Sequence, residues 1–479
     1  MDNQTNKSVK RKIPHSDSCE MYLLGFGTHS SGCGLIKVTD RPPQFGVFFD
    51  GTGNNFKNDI ARWDDDKEPT NVSKLHLLYP DEKEHFIGAT YIDGVGTKVG
   101  EDDSDKDKAF ALSIGDKVKQ ALEAVQLFFA KEQFKNAPIG ILDIFGFSRG
   151  AAAARHFVNE VQRLNKQDPK YFGGPQLQVR FLGLFDTVGS IGMPGDNSQK
   201  LYTGDEFNLD INPNAVQHVF QLTAKHEQRK YFPLSSIFTA HGQAPAAHFE
   251  EVELPGSHSD VGGGYGPVPD IVYYPIPDTV VSLSHNDCNE KIKALKLEYE
   301  KKYPAPGINI NMRIARDQSN GPYLYSSLDP RWQRPVQPQL AYSALRKMHT
   351  KAKEKGVPLE ELELLTQKKE FDNRHPRDVY VIPSDLQDHL TRLDAEPSNT
   401  RIEDYVYQHY IHHSHQYRAK PKPWAVVTLN SNAPQTNPKH PAPNGKREVF
   451  YNEIAKGYSP TDQWKRIQVN RGTARWVRQ

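Results

Sequence analysis

Apolar residues along this chain gather into short continuous runs, separated by stretches with helical periodicity, and that alternation sets the expected fold. Gln44-Phe-Gly-Val-Phe-Phe49 is one such run, and it stops at Asp50-Gly-Thr-Gly-Asn-Asn55, residues tolerant of unusual dihedrals. Ile139–Phe145, Val179–Phe185 and Phe249–Leu254 read as further strands, and a short segment begins at Tyr91-Ile92 and breaks at Asp93-Gly-Val-Gly96. Between the runs, Thr70-Asn-Val72 opens a helix through Tyr79, and Ile114, Val118, Leu122, Val125 and Phe129 recur at helical spacing. Ala151–Val158 reads as a helix built on the best helix former, and another helix is expected through Ala215–Glu227. Strands alternating with helices predict an α/β fold, a mostly parallel sheet with helices on both faces.

The pattern changes beyond about residue 270. Leu340–Lys353 and Leu359–Lys369 are charged helical stretches, and Asp385–Leu393 reads as a helix with Ser384 as its N-cap. Four segments follow from this reading: a polar leader over 1–43, a core over 44–270, a helical lid or side region over 271–420 and a basic segment over 421–479. No internal repeats are present.

Charge narrows the possible partners. Lys and Arg number 60 against 59 Asp and Glu, so no global basic excess points to nucleic acid. The balance is local, however: Arg418–Gln479 holds twelve Lys/Arg and three Asp/Glu, suited to an anionic membrane surface or to a solvated tail. No apolar run approaches the length of a membrane span, and the polar start Met1-Asp-Asn-Gln-Thr-Asn-Lys7 lacks the apolar core of a secretory signal. Three cysteines, Cys19, Cys33 and Cys288, form neither a disulfide framework nor a metal-ligand spacing, which fits synthesis in a reducing compartment. Asp103-x-Asp105-x-Asp107 has the spacing of a calcium loop, but Lys108 stands where such a loop needs glycine. Neither a metal nor a cofactor is expected.

The candidate chemistry sits at strand ends. Gly146-Phe147-Ser148-Arg149-Gly150 lies between the run Ile139–Phe145 and the alanine helix. A G-x-S-x-G in a strand–turn–helix context is the nucleophile elbow of α/β-hydrolases, whose glycines let the chain turn sharply enough to present the serine. A serine hydroxyl needs a base, and the base an orienting acid, in the chain order Ser, Asp, His. Asp186 follows the strand ending at Phe185, and His258 follows the strand Phe249–Leu254 and the turn Pro255-Gly256. Asp260 is the alternative acid, and His412 and His413 are alternative bases in the helical region, where histidines are more often exposed or support a loop. The oxyanion calls for two N–H donors, one from Arg149 and one from Gly51 or Thr52 in the loop after the first strand. Asp50 after that strand superficially resembles an aspartyl-phosphate motif, but Thr52 stands where the second aspartate belongs.

Five segments together resemble a known family: Val47–Asn55, Tyr91–Thr97, Gly146–Ala151, Phe185–Val188 and Pro255–Tyr265 are similar to the α/β-hydrolase domain of type VI secretion lipase effectors. Leu345–Met348 with Ala352–Pro358 is similar to a helical segment of the same family. The resemblance implies a bacterial toxin that hydrolyses membrane phospholipids, with Ser148, Asp186 and His258 in the triad places. It further implies synthesis in the bacterial cytoplasm without a signal peptide and delivery to the periplasm and membrane of rival cells. Its partners would be a cognate immunity protein and a type VI delivery protein. The competing reading is a non-enzymatic, hydrolase-like binding module of a secretion apparatus.

Overall fold

A computed structural model describes residues 42–61, 67–81, 86–95, 110–189, 208–227, 232–266, 270–273, 309–316, 326–334, 336–368, 381–396, 399–412, 449–450, 464–469 and 473–478, with isolated positions between them. Residues 1–41 of the polar leader, the acidic run Glu101–Asp107, His413 and most of the basic segment lie outside the described residues.

In chain order, the first elements are β1 (Gln44–Phe49), α1 (Phe56–Ala61), β2 (Lys67–Thr70), α2 (Asn71–Leu78), β3 (Ile87–Ile92) and α3 (Phe110–Phe129). Next come β4 (Ile139–Phe147), α4 (Arg149–Gln167), β5 (Gln176–Phe185), β6 (Val216–Ala224), β7 (Leu234–Ser235) and β8 (Phe249–Leu254). The short α5 (His258–Gly262) and β9 (Gly263–Tyr265) close the core segment. Six strands pair in the order β3-β1-β4-β5-β6-β8, every pair parallel.

Both faces of this sheet are covered. Phe45, Val47 and Phe49 of β1 and Leu142 and Ile144 of β4 pack with α3 and α4 residues such as Val118, Val125, Phe157 and Val161. Phe48, Phe145, Phe181 and Phe220 point the other way, toward Val72 and Leu75 of α2 and toward Leu345 and Met348. The latter two belong to α6 (Gln339–Glu354), which crosses the second face. The strands are buried on both sides, so they read as continuous apolar runs rather than alternating ones.

Buried polar groups are paired where they cross the sheet. Asp143 of β4 takes Arg180 Nε at 2.9 Å and Tyr79 OH at 2.8 Å. Lys74 of α2 is ion-paired with Glu68 of β2, and Tyr342 OH of α6 donates to Glu68 Oε2 at 2.9 Å, fastening α6 to the core.

Several expectations change. The stretch Ala215–Glu227 is not a helix; Val216–Ala224 of it is β6, inserted between β5 and β8. Val216, Val219 and Phe220 stand at i, i+3 and i+4, which imitates a helical stripe. The strand is nonetheless buried along most of its length, with Val219 in one core cluster and Phe220 and Leu222 in the other. The side region also holds an antiparallel three-stranded sheet of β10 (Asp270–Tyr273), β11 (Asn309–Arg316) and β12 (Ser326–Arg334) beside α6, α7 (Ser384–Ala395) and α8 (Thr400–Tyr410). Leu359–Lys369 forms only a 3₁₀ turn over Leu362–Gln367, and α7 begins at Ser384 with Pro383 in the cap position. Finally, the C-terminal segment supplies β13 (Val449–Phe450), β14 (Trp464–Val469) and β15 (Thr473–Arg478), and β13 pairs in parallel with β7 of the core.

No helix among the described residues is long and apolar enough to cross a membrane.

Candidate active site

The elbow forms where β4 hands over to α4. Ser148 has φ 58° and ψ −123°, a region that non-glycine residues occupy at a cost of about 1–3 kcal/mol. The glycines two positions away on each side permit the turn because they have no side chains. A Cβ on Gly146 would lie 2.6 Å from Ala151 Cα, and one on Gly150 would lie 2.3 Å from the Asp50 carbonyl oxygen. Two backbone bonds button the turn to the end of β5: Ser148 N donates to Phe185 O at 3.0 Å and Val188 N to Ser148 O at 3.2 Å. Ser148 Oγ makes no hydrogen bond among the described residues and is not one of the sealed, unpartnered polar atoms.

Asp186 directly follows β5 and is fully buried. It too has positive φ, 44°, which turns its carboxylate back over the sheet edge. Its N–H donates to Leu222 O at 2.7 Å, its Oδ1 accepts from Ala224 N at 2.9 Å, and its Oδ2 lies 2.6 Å from His258 Nδ1. A carboxylate can only accept, so Nδ1 carries the proton and Nε2 is left as the basic nitrogen. His258 opens α5 just beyond β8, and its N–H donates to Glu227 Oε2 at 3.3 Å. Its ring lies against Phe147, the residue before Ser148, with centroids 4.6 Å apart, and against Phe232 at 5.0 Å. Ser148, Asp186 and His258 therefore all stand at C-terminal strand ends on one sheet edge.

Burial pushes the His258 pKa down to about 4, against the opposing pull of Asp186, with Arg229 lowering it further. The imidazole is thus neutral and ready to accept a proton at neutral pH. Activity that needs this base is kept as pH falls through the ordinary histidine value of 6.5 and is lost only below it. The acid limb of kcat/KM on a soluble ester is expected below pH 6. A limb at 6.5 or higher would mean that His258 is not the titrating base. The sign for stability is parallel: a depressed histidine pKa contributes stability above pH 6.5 that is lost as pH falls through the folded value.

The loop after β1 reaches the elbow. Thr52 Oγ1 accepts from Arg149 Nε at 2.5 Å, which ties that loop to the residue following the serine. The Gly51 amide, expected as an oxyanion donor, is instead given to Asp50 Oδ1 at 2.7 Å, and Gly53 N donates to Val95 O at 3.1 Å. Among the described residues the Thr52 amide has no such partner. Asp50 also takes Thr70 Oγ1 at 2.8 Å and Tyr91 OH at 2.5 Å, and burial pushes its pKa up to about 6 in spite of these donors. A carboxylate so enclosed is a strut for the loop and is not presented as a phosphate acceptor.

Asp260 is joined to Ser257 and His412, whereas the carboxylate on His258 belongs to Asp186. His412 is buried rather than exposed, two residues past α8, and through Asp260 it supports the loop that carries His258. Sequence reasoning missed Glu227, Arg229 and Phe232. Arg229 pairs with Glu227, Nη2 to Oε2 at 2.9 Å, and its guanidinium lies 3.3 Å from the Phe232 ring centroid. Arg149 approaches the same ring at 5.4 Å, and burial together with Arg229 pushes its pKa down to about 10, which leaves it charged at neutral pH. Once β6 is recognised as a strand, Glu227 and Arg229 fall at its C-terminal end, where a parallel sheet builds sites. Among the described residues no group of His, Cys, Asp and Glu could hold a metal ion.

The family described as "T6SS, Phospholipase effector Tle1-like, catalytic domain" matches residues 44–164 and 158–271. Among solved structures, the chain is similar to the Tle1 effector bound to the VgrG spike of the type VI secretion system. Identity is 24%, the TM-score is 0.58, and the match covers 85% of this chain and 93% of that one. It is also similar to an uncharacterized protein from Pseudomonas aeruginosa at 20% identity and a TM-score of 0.45, over 76% of this chain and 52% of that one. No curated protein matches. The core built on the parallel sheet has an α/β-hydrolase-like fold, and residues 44–271 match the family model of Tle1-like catalytic domains of type VI secretion phospholipase effectors.

Proposed function

We propose that the chain is a serine esterase of phospholipase A type, cleaving acyl esters of membrane glycerophospholipids as an antibacterial type VI secretion effector. The observation that carries this reading is the 2.6 Å Asp186–His258 contact on the sheet edge that also presents the strained Ser148. The description of the matched family, a phospholipase effector, supports the substrate class.

Ser148 Oγ attacks the acyl carbonyl while His258 Nε2 takes its proton and Asp186 holds the Nδ1–H tautomer. The amides of Thr52 and Arg149 stabilise the tetrahedral oxyanion, Gly51 being committed to Asp50. Collapse expels the lysophospholipid alkoxide, protonated by His258, and leaves an acyl-serine. Water, deprotonated by the same nitrogen, attacks that ester and releases the fatty acid, which restores Ser148. Each half-reaction returns His258 to its neutral form: it passes the Ser148 proton to the lysophospholipid in the first and the water proton to Ser148 Oγ in the second.

The protein is made in the bacterial cytoplasm and works on the membrane of a target cell from its periplasmic side. Its partners are a cognate immunity protein in the producer and a delivery protein, for which the Tle1–VgrG complex is the precedent. Incubation with vesicles of defined phospholipids should yield free fatty acid and lysophospholipid in equal amounts. Release of a phosphorylated head group would refute the acyl-ester chemistry. Targeting the wild type to the periplasm of a bacterium should kill it, and the Ser148→Ala protein should be tolerated. Equal growth of both, at matched expression and without lipid turnover, would refute the effector reading.

A further inference from the structure

A second histidine–aspartate pair shares α5 with the first. Asp260 is the third residue of that helix, and its carboxylate is a hub. Oδ2 accepts from Ser257 N at 2.8 Å, Ser257 Oγ at 3.1 Å and His412 N at 3.0 Å, while Oδ1 lies 2.5 Å from His412 Nδ1. His412 comes from the far end of the side region, 152 residues away in sequence. Tyr265 stacks on its imidazole with centroids 4.0 Å apart, and the Tyr265 hydroxyl lies 3.3 Å from Ser257 Oγ. The His412 ring is thereby fixed in plane and in register.

The other side of the same segment is held as well. Glu403 of α8 takes Lys225 Nζ at 2.6 Å and His226 Nε2 at 3.1 Å. His226 in turn accepts the Gly256 N–H on Nδ1 at 3.0 Å and donates its own N–H to Gly256 O at 2.9 Å. Gly256 stands two residues before His258 at φ 127°, and a Cβ there would lie 2.6 Å from Asp260 Cβ. Residues 256–260 are therefore gripped in front through Glu403 and His226 and behind through His412. A five-residue helix has little stability of its own, so the placement of its first residue, His258, depends on these outside contacts.

We propose that the Asp260–His412 pair is a latch by which the segment after α8 positions His258 for proton transfer, so that turnover requires the side region to be docked on the catalytic loop. The proposal rests on reading His258 as the general base. Both His412 and Asp260 act through His258 and touch no reacting atom, so they are positioning residues. Outer-shell groups of this kind are typically worth about 10–100-fold in activity, and a displacement of about 1 Å in a reacting group can cost about 10²-fold.

The test uses the full chain with a soluble short-chain ester and a fluorophosphonate probe. His412→Ala should lower kcat by about 10–100-fold with KM changed by less than about twofold, and should slow serine labelling by the same factor. His412→Asn, whose amide N–H can stand near the Nδ1 position, should recover most of the rate. If His412→Ala does not fold, His412→Phe keeps the stack on Tyr265 but lacks the donor, and should show the same loss. Wild-type kcat and labelling rate in a folded His412→Ala or His412→Phe protein would overturn the latch. An Asn variant as slow as the Ala variant would overturn it equally, since the donor would then be irrelevant. Failure of the underlying reading looks different: the probe would not label the wild type, or would still label Ser148→Ala.

Discussion

Ser148→Ala is expected to remove ester hydrolysis almost completely, by about 10⁴-fold or more, while leaving the fold intact. The rate loss follows because the substitution removes the attacking oxygen that the elbow presents. The retained stability follows from what the side chain does not do. Ser148 Oγ makes no hydrogen bond among the described residues, so its removal leaves no buried partner unsatisfied. The two bonds that button the elbow to β5 and Val188 are made by the backbone and survive the substitution. The positive φ of 58° is as strained for alanine as for serine, so the folded conformation is not penalised further. Turnover of a short-chain ester, labelling by a fluorophosphonate and the melting temperature should be measured on one preparation. Near-normal turnover in a protein that melts like the wild type would end the serine-esterase reading.

The elbow was the most legible part of the molecule because its constraint is local. Two glycines, a preceding apolar run and a following alanine helix are all contiguous in sequence, and the clashes at Gly146 and Gly150 explain why each glycine is needed. Asp186 and His258 were found by their positions just beyond strands, and the structure brings them together. The sheet itself was partly misjudged at β6, where a strand buried on both faces loses the two-residue alternation that identifies strands. That error also hid Glu227 and Arg229. The pairing of His412 with Asp260 was not legible at all. It is a contact across 152 residues between a helix end and a capping box, and no local periodicity encodes it. The commitment of the Gly51 amide to Asp50 is likewise a matter of side-chain direction, which a glycine-rich loop sequence leaves open.

Asp186→Asn is expected to cost about 10⁴-fold in kcat, and Asp260→Asn only about 10–100-fold. Asp186 has two jobs with opposite demands on an amide. Its Oδ1 accepts the Ala224 N–H, so the amide of the variant would keep its oxygen there and turn its NH₂ toward His258. An NH₂ facing Nδ1 requires that nitrogen to be unprotonated, which moves the proton to Nε2 and leaves Ser148 without a base. The backbone should tolerate the change, since φ of 44° suits asparagine better than most residues. Asp260→Asn is different because its partner, His412, transfers no proton in the reaction. An amide oxygen in the Oδ2 place would keep Ser257 N, Ser257 Oγ and His412 N, and His412 could exchange tautomers to receive the NH₂. The helix that carries His258 would be loosened and its base left basic. Both variants belong in one assay with wild type, with kcat and KM separated. If Asp260→Asn proves the more damaging of the two in folded protein, the orienting acid is Asp260, and the 2.6 Å contact between Asp186 and His258 has a structural role instead.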